Sequence, residues 1–295
     1  MSSIATLKLI KKIKDEKFDE EKLQQYTLLT QLGAKDFQAA VIDGEDNRLL
    51  FFEDYVFSGV STAAELQTAL QSLFDSREYL TAGFWKSVRV SIKNNKFVQV
   101  PSSLFVDTAA EEYLKFNAIL DRETESVQSC RNAQTDAVTV FAIQNDMLGW
   151  LKRIYSNTTI QLFHQSAALI EGVMTSAGSR TNEPLYVYVD RFKLHLLFVK
   201  SGKLIYYNQF LIKQFTHYVK YIMLVMKAMG MDQDSSQVVL WGYIGKNSPH
   251  YLEFIKYVRN VTFGERPGHI KFGYLFDEVQ EHHFFDLYSL NQLPA

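Results

Sequence analysis

The chain has 295 residues, of which 47% are hydrophobic and 22% are charged, and this composition excludes a disordered or collagen-like protein. The formal net charge is -2 and no long basic run occurs, so we expect no nucleic acid partner. The single cysteine, Cys130, excludes an internal disulfide and is typical of a reducing compartment. The first 18 residues lack the apolar core of a secretory signal, and the most apolar stretch, Tyr218–Met229, is interrupted by lysines. We therefore predict a cytoplasmic protein without a transmembrane segment.

The first predicted elements are a charged arm, a meander and a helix. Residues 10–22 mix acidic and basic side chains, which is typical of a solvated arm or a first helix. Strand-like runs separated by Gly33 and by a turn at residues 43–47 follow, and they are Tyr26–Leu32, Ala34–Ile42 and Arg48–Phe57. Thr62 and Glu65 then form a capping box, which predicts the start of a helix.

The middle of the chain predicts a hairpin followed by alternating helices and strands. Residues 88–92 alternate like a strand, and a turn at Asn94-Asn95 returns the chain through Phe97–Val100. A second capping box, Thr108 with Glu111, predicts another helix. The elements that follow are a strand at 137–143, a helix around Met147–Ile154, a strand at 158–163 and a helix around Leu169–Val173.

The second half repeats the pattern of the first. Residues 182–184 (Asn-Glu-Pro) break the chain, and we place a domain boundary there, which gives domains 1–180 and 181–295. The elements predicted after the break are strands at 185–190, 193–200 and 203–212, a helix over Lys213–Met229, a strand at 238–241, a helix capped by Ser248-Pro249 and a strand at 261–263.

The order of predicted elements is therefore the same in both halves: three strands, a helix, a strand, a helix and a strand. This order is that of the ribonuclease-H-like unit. Two such units in tandem form the actin-like architecture, in which two mixed sheets flank a central cleft. We therefore predict an α/β protein with the actin-like ATPase fold, built as a tandem ribonuclease-H-like pair.

Several segments resemble known families. The run from Val138 to Phe210 resembles the middle of the actin-like proteins of type IV pilus assembly and cell division. Three shorter segments resemble an uncharacterised Bacteroidetes domain-of-unknown-function family with an actin-like ATPase fold, and they are Phe97–Phe105, Gly202–Phe210 and Leu240–Val258. The resemblance covers roughly residues 25–265 and implies a fold, because that family has no settled function.

The resemblance also implies two phosphate-binding hairpin turns, each carrying an Asp, then a Gly, then Ser or Thr. In the first turn Gly33 is kept, but Thr30 stands where the Asp would align. In the second turn Asp190 is kept, but Phe192 stands where glycine is expected and would fill the space that a phosphate needs. Since each turn has lost part of its motif, we predict no catalytic residues, no hydrolysis and no cofactor.

The alternative is that the turns still bind Mg-ATP. Lys35 and Lys193 could hold an anion as point charges, and Trp241–Gly245 is the best match to the glycine-rich adenosine loop of the superfamily. The residues that would bind nucleotide under this alternative are Gly33, Lys35, Asp36, Asp190, Lys193, Gly242 and Gly245.

Other candidate chemistry is interpreted as structural. His282 and His283 lie near Glu281 and Asp286, but adjacent histidines diverge in either a strand or a helix, so we predict no metal site. Cys130 has no assignable base, which indicates a buried or incidental thiol.

The second meander is unusually rich in tyrosine. Alternation puts Tyr186 and Tyr188 on one face of a strand, opposite Leu185 and Val187. The favoured interpretation is an aromatic core, and the alternative is an interaction surface.

Taken together, these observations favour a catalytically inactive scaffold or binding module with an unidentified protein partner, and homo-oligomerisation stays open. The alternative is a divergent nucleotide-binding protein or ATPase that uses the interdomain cleft. A third interpretation is a nuclease of the ribonuclease-H class, which would need carboxylates such as Asp36, Asp43 and Asp190 to converge on two metal ions.

Overall fold

Two mixed β-sheets with the same strand order organise the computed structural model, which describes residues 6–178, 182–191, 193–214 and 216–294. The elements of the first part of the chain are β1 (Thr6–Lys14), β2 (Tyr26–Gly33), β3 (Asp36–Asp43), β4 (Arg48–Ser58), α1 (Ala63–Asp75), α2 (Glu78–Thr81), β5 (Ser87–Lys93), β6 (Phe97–Pro101), α3 (Ala110–Lys115), β7 (Glu125–Arg131), β8 (Ala137–Gln144), α4 (Asn145–Ile154), β9 (Ile160–His164) and α5 (Gln165–Ala177). Those that follow are β10 (Leu185–Val189), β11 (Lys193–Lys200), β12 (Lys203–Leu211), α6 (Thr216–Ala228), β13 (Gln237–Gly242), α7 (Pro249–Phe254), β14 (Asn260–Phe263), β15 (Lys271–Phe272) and α8 (Phe285–Ser289).

The chain divides into two compact units. Unit 1 consists of Met1–Ala168, Gly268–Glu278 and Asp286–Ala295, and unit 2 consists of Leu169–Pro267 and Val279–Phe285. The boundary between domains 1–180 and 181–295 stays a prediction. No helix among the described residues is both long enough and apolar enough to cross a membrane.

The main sheet of unit 1 has the order β1-β4-β3-β2-β5-β9, with β15 paired to β4. Strands β2, β5 and β9 run parallel, so their carboxyl ends meet at one edge of the sheet. At that edge Gly33 is the register partner of Lys93, and Ile92 is that of His164. A functional site in a sheet of this kind is expected at this edge.

A second, three-stranded sheet is inserted between β5 and β9, with the order β6-β8-β7 and antiparallel pairing throughout. It encloses a small apolar core of its own, in which Leu114 of α3 packs against the sheet. The buried members of this core are Val100, Leu114, Val138, Val140 and Ala142. This inserted sheet is therefore an appendage of unit 1 with its own packing.

The sheet of unit 2 has the order β12-β11-β10-β13-β14, in which β10, β13 and β14 are parallel. Both of its faces are covered. Leu185 and Val187 belong to one buried cluster together with side chains of α6 and α7, and Tyr186 and Tyr188 belong to a second cluster together with α5. The interpretation of these two tyrosines as core residues is confirmed, since both are almost fully buried.

The predicted order of elements is confirmed in unit 2, and unit 1 has the same order with β1 and the inserted sheet added to it. Strands β4-β3-β2-β5-β9 and β12-β11-β10-β13-β14 each have the order 3-2-1-4-5 of a ribonuclease-H-like unit. The capping box at Thr62 and Glu65 is also confirmed, as is the cap at Ser248 with proline in the first helical turn. These signals are local, and the structure preserves them.

The charged arm predicted at residues 10–22 is wrong in part, because Thr6–Lys14 forms an edge strand that pairs with β4. Lysine-rich sequence is compatible with an edge strand, since the charges stay in water and discourage pairing with another chain. The buried carboxylate of Glu53 anchors the strand, because Lys12 Nζ lies 3.2 Å from Glu53 Oε1.

The hairpin predicted between residues 88–92 and Phe97–Val100 is also wrong. Residues 97–101 pair with β8 rather than with β5, and the preceding turn also bonds β8, since Asn94 Nδ2 donates to the carbonyl of Ala142 at 2.8 Å. Strand β7 was not predicted at all, since its sequence, ESVQSCR, has few apolar side chains.

The second capping box is wrong as well. A 3-10 turn at Asp107–Ala109 places Ala109 rather than Thr108 at the start of α3, and Ala109 makes no side-chain cap. The carboxylate of Glu111 forms an ion pair with Arg122 instead. In α7, Phe254 is buried, whereas Leu252 is about half exposed.

Candidate functional site

The first predicted phosphate turn is closed by a carboxylate of the protein itself. Asp36, the first residue of β3, lies beside Gly33, and a Cβ built on that glycine would be 2.0 Å from Asp36 Oδ1. Asp36 Oδ2 accepts a hydrogen bond from Lys93 Nζ at 2.7 Å. Gln38 Nε2 lies 3.4 Å from the same oxygen and donates to Asp54 Oδ1 at 3.0 Å. Asp36 and Lys93 are both buried, so a negative charge already occupies the space next to the turn glycine.

The other two residues considered for this turn differ in exposure. Lys35 is exposed, and its main-chain carbonyl accepts the N–H of Phe57 at 2.8 Å, which fixes the tip of the β2–β3 turn against β4. Thr30 is buried, and side chains alternate along a strand, so it points to the face of β2 opposite Gln31 and Gly33. The structure therefore brings Gly33 and Asp36 together and leaves Lys35 at the surface.

A second buried polar cluster lies in unit 1, where the C-terminal segment returns to it. Asp286 Oδ2 accepts hydrogen bonds from Gln31 Nε2 and from Gln165 Nε2, both at 2.8 Å. Gln165 is the first residue after β9, which is a carboxyl-edge position. Arg89 Nη1 donates to three main-chain carbonyls of the same segment, at 2.7–3.2 Å, and these are Leu290, Asn291 and Leu293.

Sequence reasoning missed the lysine and both glutamines of this edge. Lys93 ends β5 and Gln165 directly follows β9, so their places at the ends of parallel strands were the available signal. The sequence places Asp286 near His282 and His283 as a candidate metal ligand, but its carboxylate accepts hydrogen bonds from two side-chain amide groups.

The second predicted phosphate turn lies in unit 2, directly after β10. The main-chain N–H of Asp190 donates to the carbonyl of Lys193 at 2.9 Å, which closes the turn, and Asp190 Oδ1 accepts the N–H of Arg191 at 2.8 Å. Asp190 is buried, and the guanidinium of Arg191 stacks over the ring of Tyr243 at 4.2 Å. Phe192 lies outside the described residues, so its position in the phosphate space stays a prediction.

The predicted adenosine loop requires its first glycine. Gly242 has φ +91, and a Cβ there would be 2.1 Å from the carbonyl oxygen of Val189. Its N–H donates to the carbonyl of His282 at 2.8 Å, and His282 Nε2 in turn lies 2.6 Å from the carbonyl of Ile244. The C-terminal segment thus holds the loop in unit 2.

A cavity of about 580 Å³ opens beside this loop. Gly245 lines it together with polar side chains of the loop and of the segment around His282. The lining side chains that could bind a polar ligand are Lys246, Asn247, Ser248, Glu265, Gln280 and Glu281. The cavity is open and polar, and it lies at the carboxyl edge of β13 and β14.

The histidines next to this cavity are held neutral. Burial lowers the pKa of His283 to about 4, and nearby His282 and Arg191 contribute in the same direction. The two imidazole rings are nearly perpendicular. Among the described residues, no three His, Cys, Asp or Glu side chains come together in a group that could hold a metal ion.

Two further candidates for catalysis, the Cys130 thiol and a pair of carboxylates for two metal ions, are not supported by their surroundings. Burial raises the pKa of the Cys130 thiol to about 12, so it is protonated and a poor nucleophile at neutral pH. Asp36 and Asp43 occupy opposite ends of β3, about 23 Å apart at 3.3 Å per residue, so they cannot share a pair of metal ions.

Comparison with known proteins is consistent with this geometry. A family model described as "Protein of unknown function (DUF3822)" matches residues 15–261. No curated protein matches the sequence significantly. A Bacteroides thetaiotaomicron protein with actin-like ATPase fold and unknown function superimposes with a TM-score of 0.78 at 19% identity, covering 94% of this chain and 99% of that chain. A structure of the PilM-PilN type IV pilus biogenesis complex superimposes with a TM-score of 0.62 at 11% identity, covering 90% of this chain and 97% of that chain. These likenesses show the actin-like ATPase fold.

Proposed function

The chain belongs to the DUF3822 family of proteins of unknown function, and we propose that it is a catalytically inactive actin-like protein that works as a cytoplasmic scaffold or binding module. The observation that carries this proposal is the Asp36 carboxylate, which lies against Gly33 and is neutralised by Lys93. A phosphate approaching the main chain of this turn would meet the Asp36 carboxylate, which already fills the space beside Gly33. The fold is therefore kept without an open phosphate site at its first turn.

Exposed apolar side chains on both sides of α3 in the sequence, here called the Phe116 cluster, support a role in binding proteins. Two large side chains that follow α3 are almost fully exposed, Phe116 at 87% and Ile119 at 91%. Leu104 and Val106 are more than half exposed in the loop before α3. The main chain of this loop is held by Tyr113, because its hydroxyl donates to the carbonyl of Leu104 at 2.6 Å and accepts the N–H of Val106 at 3.2 Å. Ordered apolar side chains in water are typical of an interface awaiting its partner.

The fold likeness supports the same role. PilM, whose structure was solved in complex with PilN, shares the fold over 90% of this chain. A two-sheet frame of this kind can therefore present surfaces to a partner. Homo-oligomerisation is tested by light scattering of the purified protein, since the exposed cluster could also be buried between copies.

Calorimetric titration with Mg-ATP tests the proposed lack of nucleotide binding and hydrolysis. We expect no heat of binding at millimolar nucleotide and no phosphate release. A micromolar dissociation constant would overturn the proposal. The proposed role in protein binding is tested with Phe116→Ser and Ile119→Ser, which should abolish a specific interaction with a protein partner. The control variant is Lys152→Glu on the exposed surface of α4, which should leave that interaction intact.

The alternative function, nucleotide binding, is favoured by one observation in unit 2, the cavity of about 580 Å³ beside Gly245. A base or sugar could enter it without the hydrolytic turns. Under this alternative, Gly33, Lys35 and Asp36 serve one turn and Asp190, Lys193, Gly242 and Gly245 serve the other. Lys246→Glu would then weaken nucleotide binding, whereas our preferred proposal expects wild type and variant to show the same lack of binding.

A further inference from the structure

The outward face of α6 in unit 2 carries an apolar groove between two cations. Lys220, Leu224 and Lys227 recur at helical spacing, so they form one stripe along the helix. Leu224 is 56% exposed although it lies in the centre of that stripe. The groove has a volume of about 680 Å³, and the methionines Met223, Met226 and Met231 form its walls.

The end of α6 builds one of these walls. Gly230 has φ +69, and its N–H donates to the carbonyl of Lys227 at 3.2 Å. The N–H of Met231 donates to the carbonyl of Met226 at 2.9 Å, which completes a Schellman motif. The motif folds Met231 back onto the helix, where it packs against the core of unit 2. The groove is therefore fixed by the backbone, while its methionine side chains can adapt to a ligand.

The charge around the groove is unbalanced. Neither Lys220 nor Lys227 has an ion-pair partner among the residues that the structure describes. The acidic side chain at the groove, Asp232, is used by its own turn. Its Oδ1 accepts the N–H and the hydroxyl of Ser235, both at 2.9 Å, and the N–H of Asp234 at 3.0 Å. An incoming ligand with negative charge would thus find two cations without a carboxylate partner among the described residues, of which Lys220 lies over the ring of Tyr221.

We propose that this groove is the docking site for an acidic amphipathic helix of a partner protein. The apolar face of such a helix would cover Leu224 and the methionines, as in other helix-in-groove complexes. Lys220 and Lys227 are seven positions apart on α6, which corresponds to about 10.5 Å along the helix axis. The partner helix should therefore carry two acidic residues about two turns apart, with apolar residues between them.

This inference depends on the proposed function only in requiring a protein partner. The groove lies on unit 2, whereas the exposed cluster around Phe116 lies on unit 1. Failure of helix binding at α6 would leave the lack of nucleotide binding and the role of the Phe116 cluster untouched. A nucleotide complex would overturn the proposed function without affecting the groove.

Two synthetic 18-residue helices provide the probe. The first has a leucine and methionine face with glutamates seven positions apart, and the second has lysines in place of those glutamates. Fluorescence anisotropy at low ionic strength should show saturable binding of the acidic helix at least about tenfold tighter than binding of the basic one, with the difference reduced by salt. Equal affinity for both helices would overturn the proposal.

Variants of the groove make the test specific. Leu224→Asp should weaken binding of the acidic helix by about tenfold or more, since it places a charge at the centre of the interface. The double variant K220E/K227E should do the same, and K152E/K203E, at lysines away from the groove, should bind like wild type. All substituted side chains are exposed, so folding is checked by an unchanged thermal melt. Unchanged binding by Leu224→Asp would contradict the proposal. If the acidic helix does not bind, two other results would also contradict the proposal. One is a dimer of this protein that dissociates in the double variant K220E/K227E, and the other is binding to anionic vesicles that the same variant abolishes.

Discussion

Asp36 and Lys93 form a buried ion pair at the carboxyl edge of the unit 1 sheet, with 2.7 Å between Oδ2 and Nζ and side-chain exposures of 3% and 4%. Desolvation of two charges is costly, and the attraction between the two offsets part of that cost. Since Gly33 is packed against the same carboxylate, the ion pair also determines what can approach the turn.

Removing one partner of this pair should destabilise the protein strongly. Asp36→Ala removes the carboxylate that lies 2.7 Å from the buried Lys93 Nζ, which should cost roughly 3–5 kcal/mol of unfolding free energy in urea titration. The double variant D36L/K93M should lose less than either single variant, because it removes both charges and keeps an apolar volume.

The matched control is Glu112→Ala, which breaks an ion pair of similar length with Lys115 on the surface of α3. Solvent screens that pair, so the urea midpoint should stay close to that of wild type. A similar loss of unfolding free energy in Asp36→Ala and Glu112→Ala would mean that burial of the Asp36 pair has no energetic consequence.

Arg89 should hold the C-terminal segment onto unit 1. Its guanidinium donates to the main-chain carbonyls of Leu290, Asn291 and Leu293, and burial lowers its pKa. Arg89→Ala should therefore cost at least roughly 1.5 kcal/mol and increase hydrogen exchange in residues 286–294. Arg153→Ala, at an exposed position of α4, should leave that exchange unchanged.

The protein should lose stability as the pH falls from about 6.5 towards 4. Burial lowers the pKa of His269 to about 4, and that of His283 also to about 4, from an unfolded value of 6.5. A lowered histidine pKa means that the unfolded chain binds the proton first, so the stability is fully present above pH 6.5 and is lost below it. His269→Gln should flatten the dependence of the melting temperature on pH between 5 and 6.5. An unchanged slope would show that His269 titrates alike in both states.

Two neighbouring side chains around α3 should respond in opposite ways. Leu114 is fully buried in the core of the inserted sheet, and Leu114→Ala should cost roughly 2–5 kcal/mol. Phe116, two residues further on, is almost fully exposed, so Phe116→Ser should change the unfolding free energy by no more than about 0.5 kcal/mol. Urea denaturation of both variants measures the contrast. A large loss for Phe116→Ser would mean that this ring is packed rather than available to a partner.

Much of the fold could be predicted from the sequence because its signals are local. Strand-like runs bounded by turn residues identified the strands of both meanders, and Thr62 and Ser248 marked two helix starts. The inserted sheet could not be predicted, because β6 pairs with β8 across a separation of some forty residues and no local pattern distinguishes that partner from β5. The edge strand β1 was hidden by its lysines.

The candidate site could be predicted only in part. Gly33, Asp36, Asp190 and Gly242 follow from the turn motifs, and Gly242 has the positive φ that a glycine position implies. Lys93 could not be assigned to Asp36, because the two residues are 57 positions apart and are joined only by the parallel pairing of β2 with β5. Asp286 likewise meets Gln31 only after the chain has returned from unit 2.

The most direct test of the central claim is the melting temperature with and without millimolar Mg-ATP, Mg-ADP and Mg-GTP. The closed turn at Asp36 predicts the same melting temperature in all four samples. A nucleotide present at about a hundred times its dissociation constant would instead add roughly 2.7 kcal/mol, which raises the melting temperature by several degrees. Such a rise would contradict the account and make the nucleotide alternative the better description of the protein.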